Sequence, residues 1–150
     1  MSWQDIIQAE VYDPLEQAFP DRNRSMAEAF LSAVETHGNK VAIVYEGREI
    51  TFRQMGDDVL KAAHVLRHEL GVEQGDRVAI LLGTEPAFGV AAWAAVCIGA
   101  IVCPMNIRYQ QQELKYQLAL TEPRVVLTDP ELVGRILPLM GELPSLEHIV

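Results

Sequence analysis

The residues of this chain that could do chemistry form small groups, and the first is a pair of histidines, His64 and His68. Two imidazoles four residues apart lie on the same side of a helix and can bind zinc together. The apolar stripe through Leu66 places both histidines on the opposite, solvent-facing side, and no third ligand is apparent. We therefore predict a solvated helix face and assign no metal-binding residue.

The two cysteines, Cys97 and Cys103, lie in an apolar stretch without CxxC spacing. This setting is typical of two buried thiols in a reducing cytosol, and a disulfide or a metal pair is the less favoured alternative. The neighbouring carboxylates Asp57 and Asp58 are expected to be solvated. A Gly-x-Ser-x-Gly elbow is absent, and nothing pairs a histidine with a nucleophilic Ser or Cys. No catalytic residue is assigned.

A third group, Gly83, Thr84 and Glu85, directly follows a predicted buried strand, where parallel sheets bind ligands. A phosphate site there would use backbone N–H groups and the positive end of the following helix. The segment contains one glycine, unlike the GxGxxG and GxxxxGKS/T loops. Glu85, expected in the first helical turn, would repel an anion. We predict a plain helix start and no cofactor-binding residue.

Composition limits the class of protein. A chain of 150 residues with 49% hydrophobic residues can bury the core of one globular domain. Its net charge of −9 argues against a nucleic-acid partner, and Arg22, Arg24, Arg48 and Arg53 are too sparse to form a phosphate-binding patch. No secretory leader is visible at the N-terminus, so we expect a cytoplasmic protein.

One uncharged run, residues 86–107, is long enough to cross a bilayer. It is rich in alanine rather than leucine, and Gly89, Gly99 and Pro104 interrupt it. We predict a buried helix, a short break and a buried strand, and not a transmembrane segment, which is the less favoured alternative.

The first half of the chain reads as a lead-in followed by helices and a hairpin. Residues 1–24 are predicted to be irregular, with apolar residues that could form a short amphipathic helix: Trp3, Ile6, Ile7, Val11, Tyr12 and Leu15. Ser25 with Glu28, and Thr51 with Gln54, have the spacing of capping boxes and predict two helix starts. The second helix is expected to run to Gly71, and residues 41–50 between the helices to form a hairpin.

From Arg77 onward, apolar runs of strand length alternate with helical segments. That order predicts an α/β fold with a mostly parallel sheet and flanking helices, joined by right-handed crossovers. Two regions result: a lead-in over residues 1–24 and an α/β subdomain over residues 25–150.

Five blocks resemble, in order and spacing, the N-terminal portion of the adenylate-forming (AMP-binding) superfamily. They are GREITFRQM (residues 47–55), GVEQGDRVAILL (71–82), GTEPAF (83–88), AAVCIGAIVCPMN (94–106) and PRVVLTD (123–129). The P-x-N-x-R ending at Arg108 favours the acyl-CoA synthetase, or fatty-acid–CoA ligase, branch. Gly71 and Gly75 permit the turn into the strand, and Gly99 ends the buried helix so that the next strand can approach.

The resemblance implies an AMP-forming ligase that joins ATP and a carboxylic acid into an acyl-adenylate and then an acyl-CoA. It also implies that the residues holding ATP, Mg²⁺ and coenzyme A come later in such enzymes, so that this chain binds no cofactor and is inactive alone. The expected partners are the downstream domains of the same enzyme, and a homo-oligomer through exposed apolar surface. The alternatives are a non-catalytic interaction module and, less favoured, a flavodoxin-like nucleotide binder.

Overall fold

A two-stranded hairpin and a four-stranded parallel sheet organise residues 25–150, which are the residues that the computed structural model describes. The predicted lead-in over residues 1–24, with its amphipathic segment and with Arg22 and Arg24, lies outside the described residues. The predicted α/β class is confirmed, because the sheet is parallel throughout and helices flank it.

Both predicted capping boxes are present at the helices α1 (Met26–His37) and α2 (Phe52–His64). The Ser25 hydroxyl accepts the Glu28 N–H at 3.1 Å, and the Glu28 carboxylate accepts the Ser25 N–H at 2.9 Å. Thr51 and Gln54 make the same reciprocal pair at the start of α2. Each pair satisfies two backbone donors that have no partner within the helix, so local sequence alone defines these two starts.

The end of α2 differs from the regular helix expected to run to Gly71. Residues Val65–Glu69 form one π-helical turn, in which the Leu70 N–H donates to the Val65 carbonyl five residues back at 3.0 Å. The wider turn keeps Leu66 in the core at 2% exposure, and Gly71, which follows the turn, has φ at +66°. Single π turns inside helices are uncommon, and hydrophobic periodicity does not reveal them.

The hairpin consists of β1 (Val41–Tyr45) and β2 (Arg48–Thr51), paired antiparallel with Tyr45 opposite Arg48. The two turn residues, Glu46 and Gly47, both have positive φ, at 48° and 76°. Two such residues make the turn whose twist matches that of the strands it joins. The hairpin therefore forms where the sequence predicts it.

The parallel sheet has the strand order β4–β3–β5–β6. Its strands are β3 (Arg77–Leu81), β4 (Ile101–Pro104), β5 (Val125–Thr128) and β6 (His148–Ile149). The connecting helices are α3 (Pro86–Cys97), α4 (Gln111–Thr121) and α5 (Pro130–Ile136), the last continued by a 3₁₀ turn, Leu137–Glu142. Each segment that joins two consecutive parallel strands is long enough to cross back over the sheet, as a parallel connection requires.

The two faces of the sheet bury separate clusters. Val78, Ile80 and Val125 pack with α1, α2 and α3 on the first face. Leu81 and Val126 pack with α4 and α5 on the second face. Because alternate residues point to opposite faces and helices pack against both faces, these strands are apolar at nearly every position.

The uncharged run of residues 86–107 divides into α3, a turn and β4, and no described helix is long and apolar enough to span a membrane. Gly99 in the turn has φ at +75°, and a Cβ there would lie 2.9 Å from Cγ of Gln74, so the position requires glycine. Pro104 is the last residue of β4, which is an edge strand and tolerates the missing N–H.

Candidate functional site

The carboxyl ends of the parallel strands are the place where a sheet of this kind binds ligands, and cavities open there. The first, the loop cleft, has a volume of about 350 Å³ and lies between the loop after β3 and the loop after β4. Its lining comprises Leu82, Gly83, Thr84, Glu85, Phe88, Met105, Asn106 and Ile107. The group Gly83, Thr84 and Glu85 singled out in the sequence is therefore at a cavity.

Glu85 is the residue before α3, not part of its first turn as the sequence suggested. Its backbone is extended (φ −142°, ψ 166°), its side chain makes no capping hydrogen bond, and Pro86 is the first helical residue. Proline suits the first helical position and disfavours helical backbone in the residue before it. The lining of the loop cleft holds this carboxylate and no Lys, Arg or His, so it offers no positive side chain to neutralise a phosphate.

The loop after β4 is held in place by Arg135 of α5. One guanidinium nitrogen, Nη1, donates to the Ile107 carbonyl at 2.7 Å and to the Tyr109 carbonyl at 3.1 Å. Within the loop, the Asn106 side chain accepts the Arg108 N–H at 2.9 Å. This side of the loop cleft is therefore braced against the second face of the sheet, and the Asn106 amide oxygen already has a partner.

The start of α4 carries a third capping box, which sequence analysis missed. Gln110 is the cap residue, and its backbone N–H donates to the Glu113 carboxylate at 3.0 Å. Glutamine is not among the preferred cap residues, which are Ser, Thr, Asp and Asn. The glutamate three residues after Gln110 was the available signal.

A second cavity, the apolar groove, has a volume of about 510 Å³. The lining residues come from the hairpin, α2 and its π turn, α3 and the ends of β3, β5 and β6, and they are Ile43, Ile50, Met55, Asp58, Ala62, Val65, Leu66, Leu70, Leu82, Pro86, Ala87, Val90, Ala91, Leu127, Thr128 and Val150. Its polar side chains are Asp58 and Thr128, and the Thr128 hydroxyl already donates to the Leu81 carbonyl at 3.1 Å.

A third cavity, the acidic cleft, has a volume of about 560 Å³ and adjoins the apolar groove, since Ile50, Asp58, Pro86 and Ala87 line both. Its other lining residues are Tyr45, Arg48, Glu49, Gln54 and Glu85. Its lining therefore holds three carboxylates and one guanidinium, and because Asp58 pairs with Lys61 at 3.1 Å, one carboxylate remains in excess.

The histidine pair differs in part from the prediction. His68 is exposed as expected, whereas His64 is half-buried, and the two ring centroids are 4.7 Å apart. Nδ1 of His64 is buried without a hydrogen-bond partner, although a metal-binding histidine normally donates its second N–H to an acceptor. Among residues 25–150, no three His, Cys, Asp or Glu side chains are close enough to hold a metal ion.

The two thiols are free, and burial differs between them. Cys97 is fully buried, and burial raises its pKa to about 11. Cys103 is half-buried, so it is less buried than the prediction of two buried thiols required. Burial raises the pKa of Cys103, and the positive charge of the nearby Arg77 partly offsets that rise. Neither environment favours the thiolate, which is the nucleophilic form.

The remaining singled-out groups have structural surroundings. Asp57 and Asp58 are exposed as predicted, and Asp58 pairs with Lys61 at 3.1 Å. Arg48 and Arg53, which were considered for a nucleic-acid patch, are exposed and stand on different elements. The geometry brings together apolar and acidic surface at the carboxyl edge of the sheet.

Comparisons with known proteins point to one family. A family model described as AMP-binding enzyme matches residues 30–150. The chain is 35% identical over 130 residues to an acetyl-coenzyme A synthetase of Bacillus subtilis (strain 168), covering 81% of this chain and 22% of the relative. It is 29% identical over 120 residues to a long-chain-fatty-acid–CoA ligase of the same organism, covering 80% and 21%.

Solved structures share the fold. The anthranilate CoA ligase AuaEII, in complex with anthranoyl-AMP, matches with a TM-score of 0.79 and 26% identity, over 99% of this chain and 26% of that one. The N-terminal domain of FACL13 from Mycobacterium tuberculosis matches with a TM-score of 0.78 and 21% identity, over 85% and 34%. The chain spans about a fifth of the length of the two Bacillus relatives, 22% and 21% respectively.

Proposed function

The chain belongs to the family of AMP-binding enzymes, in the acyl-CoA synthetase branch, and on that premise we propose that it forms the N-terminal part of an AMP-forming acyl-CoA ligase. The observation that supports this most directly is the match of 99% of this chain to 26% of a CoA ligase that was solved in complex with an acyl-adenylate. The proposed reaction joins a carboxylic acid to ATP, releasing pyrophosphate, and then passes the acyl group from AMP to coenzyme A.

The role proposed for this chain is to support the reaction rather than to carry it out. Its described residues build a parallel sheet whose carboxyl edge opens into the loop cleft and the apolar groove, and the acidic cleft adjoins that groove. The loop cleft lacks a cationic side chain, and the two thiols are held as neutral groups. We infer that ATP, Mg²⁺ and coenzyme A are bound by polypeptide other than this chain.

The first test asks whether the chain is inactive alone. Purified chain is mixed with ATP, Mg²⁺ and a panel of carboxylic acids from acetate to long-chain fatty acids, and pyrophosphate is measured. We expect no release above the protein-free background, with the Bacillus acetyl-coenzyme A synthetase as the positive control. Acid-dependent pyrophosphate release by the chain would refute the proposed division of labour.

The second test asks whether the chain can serve a ligase. In a chimera, this chain replaces the matching segment of the Bacillus acetyl-coenzyme A synthetase, to which it is 35% identical. We expect acetate-dependent pyrophosphate release from the chimera, because the same scaffold is restored. A chimera that folds but releases no pyrophosphate would count against the proposal.

Two further attributes belong to the proposal. A cytoplasmic location is supported by the two free thiols, since disulfides are rare in reducing compartments. Self-association through exposed apolar side chains, such as Tyr116 and Leu120 on α4, is testable by light scattering. A non-catalytic interaction module is not favoured, because the relatives named above are CoA synthetases and ligases.

A further inference from the structure

The apolar groove exists because of the way the chain crosses the sheet. The crossover from β4 to β5 (through α4) and that from β5 to β6 (through α5) both lie on the second face, with Leu118 and Ile136 in its core. In the described residues, the crossover on the first face is α3, between β3 and β4. The first face of β5 and β6 thus has no crossover helix of its own.

The surface that residues 25–150 leave uncovered there is apolar and has the shape of a channel. Leu127 and Val150 contribute from the sheet below. Ala62 and Val65 line one wall from α2 and its π turn, and Ala87 lines the other from α3. Exposed aliphatic surface of this kind marks an interaction site, and a channel between two helices is the shape that accepts a third helix.

The acidic cleft adds a charge requirement at one end of this channel. Asp58 lines both cavities and pairs with Lys61 at 3.1 Å, and with Glu49 and Glu85 the carboxylates exceed Arg48 and Lys61 by one. An occupant that places Lys or Arg there gains favourable interactions. A second copy of this chain is a poor candidate, because a net charge of −9 brings like charge to a negative cleft.

We propose that the apolar groove is the docking surface for an amphipathic helix of the ligase polypeptide that lies outside this chain. The apolar side of that helix enters the groove, and its basic end lies over the acidic cleft. The inference rests on the proposed function: the matched segment is 22% of the Bacillus relative's length, and β6 beside the groove is at the edge of the sheet that residues 25–150 form.

The test is co-expression of the tagged chain with the Bacillus acetyl-coenzyme A synthetase lacking its matching segment. We expect the two polypeptides to co-purify, and Ala87→Arg to lower the yield of complex at least about tenfold, which corresponds to about 1.4 kcal/mol. The matched control is Ala119→Arg, an exposed alanine on α4 at the second face. Circular dichroism and Tm of each variant chain establish that it is folded.

A charge-reversal pair tests the acidic end. Asp58→Lys should weaken the complex, whereas Asp57→Lys should not, because Asp57 is exposed on the same helix and lines neither cavity. The difference should shrink at high salt, since exposed charges are screened. Co-purification that is equal for all four variants would overturn the inference.

If the two polypeptides do not co-purify, the chimera decides. Ala87→Arg is introduced into both the chimera and the isolated chain, and the decrease in Tm is compared. A larger decrease in the chimera supports docking in the groove, and an equal decrease overturns the inference. A dimer of the chain that Ala87→Arg dissociates identifies a second copy as the occupant and also overturns it. Pyrophosphate release is a separate measurement that tests the proposed function. A chimera that releases pyrophosphate, but whose Tm falls no more than that of the isolated chain in the groove variants, refutes the docking inference and leaves the proposed function standing.

Discussion

The side chain of Val34 in α1 lies directly over Gly56 in α2, where an added Cβ would be 2.8 Å from Val34 Cγ1 and 3.2 Å from Cγ2. Both contacts are with methyl groups of a β-branched residue, whose χ1 is stiff in a helix. Gly56, the one glycine within α1 and α2, is therefore a position at which the two helices pack too closely for a larger side chain.

Gly56→Ala should lower stability although alanine is the better helix former. The helix gain is about 1 kcal/mol, and the clash costs about 1–3 kcal/mol because Val34 cannot turn away. We expect a net loss of about 1 kcal/mol, measured by urea unfolding. Gly134→Ala in α5 is the control, since nothing lies within 4 Å of its Cβ, and it should be neutral or stabilising.

A double variant separates the clash from other effects of Gly56→Ala. If Val34 causes the loss, Val34→Ala with Gly56→Ala should be more stable than the sum of the single changes predicts. Additive free energies of unfolding would show that the contact between Val34 and residue 56 does not limit this helix pair.

The cap of α2 gives a second prediction. The Thr51 hydroxyl accepts the Gln54 N–H at 3.3 Å, and Thr51→Ala leaves that donor without its partner. We expect a loss of about 1 kcal/mol, as for other N-caps, and Thr51→Ser should restore most of it. Thermal unfolding checks both variants. Thr36→Ala, an exposed change inside α1, should have little effect, and an equal loss there would contradict the cap argument.

Local features of the fold were predictable from the sequence, because neighbouring residues determine them. The pairs Ser25 with Glu28 and Thr51 with Gln54 act over three residues, and the alternation of apolar runs after Arg77 fixes the α/β class. The π turn at Val65–Glu69 was not predictable, since it keeps the same apolar residues inward with one extra residue in the turn.

The cavities needed the tertiary structure. The apolar groove combines Ile50, Leu127 and Val150, which are far apart in sequence and meet only once the crossovers have chosen their faces of the sheet. His64 illustrates the same limit: helical periodicity placed it in solvent, whereas packing half-buries it and leaves Nδ1 without a partner. The family resemblance, by contrast, was readable from five ordered sequence blocks.

A third prediction concerns pH and Cys97, whose pKa burial raises from 9.0 to about 11. Between pH 9 and about pH 11 the thiol stays protonated in the folded state, whereas it ionises in the unfolded state. The contribution of Cys97 to the free energy of unfolding is therefore complete below pH 9 and is lost as the pH rises to about 11. Two pKa units correspond to about 2.7 kcal/mol.

Urea unfolding of the wild type and of Cys97→Ala between pH 8 and pH 11 measures the effect. The wild type should be the more stable at pH 8, because alanine leaves a small cavity. That advantage should shrink as pH rises, and titrations common to both proteins cancel. An advantage that stays constant would show that Cys97 does not ionise differently in the two states.

The last prediction concerns the loop after β4, which Arg135 holds through the carbonyls of Ile107 and Tyr109. Lysine keeps the charge of Arg135 but lacks the planar group that donates in fixed directions, so Arg135→Lys should loosen the loop. The backbone amides of Arg108 and Tyr109 donate to Asn106, and they should exchange hydrogen about tenfold faster, because the free energy of local opening falls by about 1.4 kcal/mol.

Arg108→Lys is the control, because Arg108 is exposed and its backbone N–H, not its side chain, bonds to Asn106. Unchanged protection of Tyr109 in Arg135→Lys would show that the loop is ordered by its own turn, and that the wall of the loop cleft does not depend on α5.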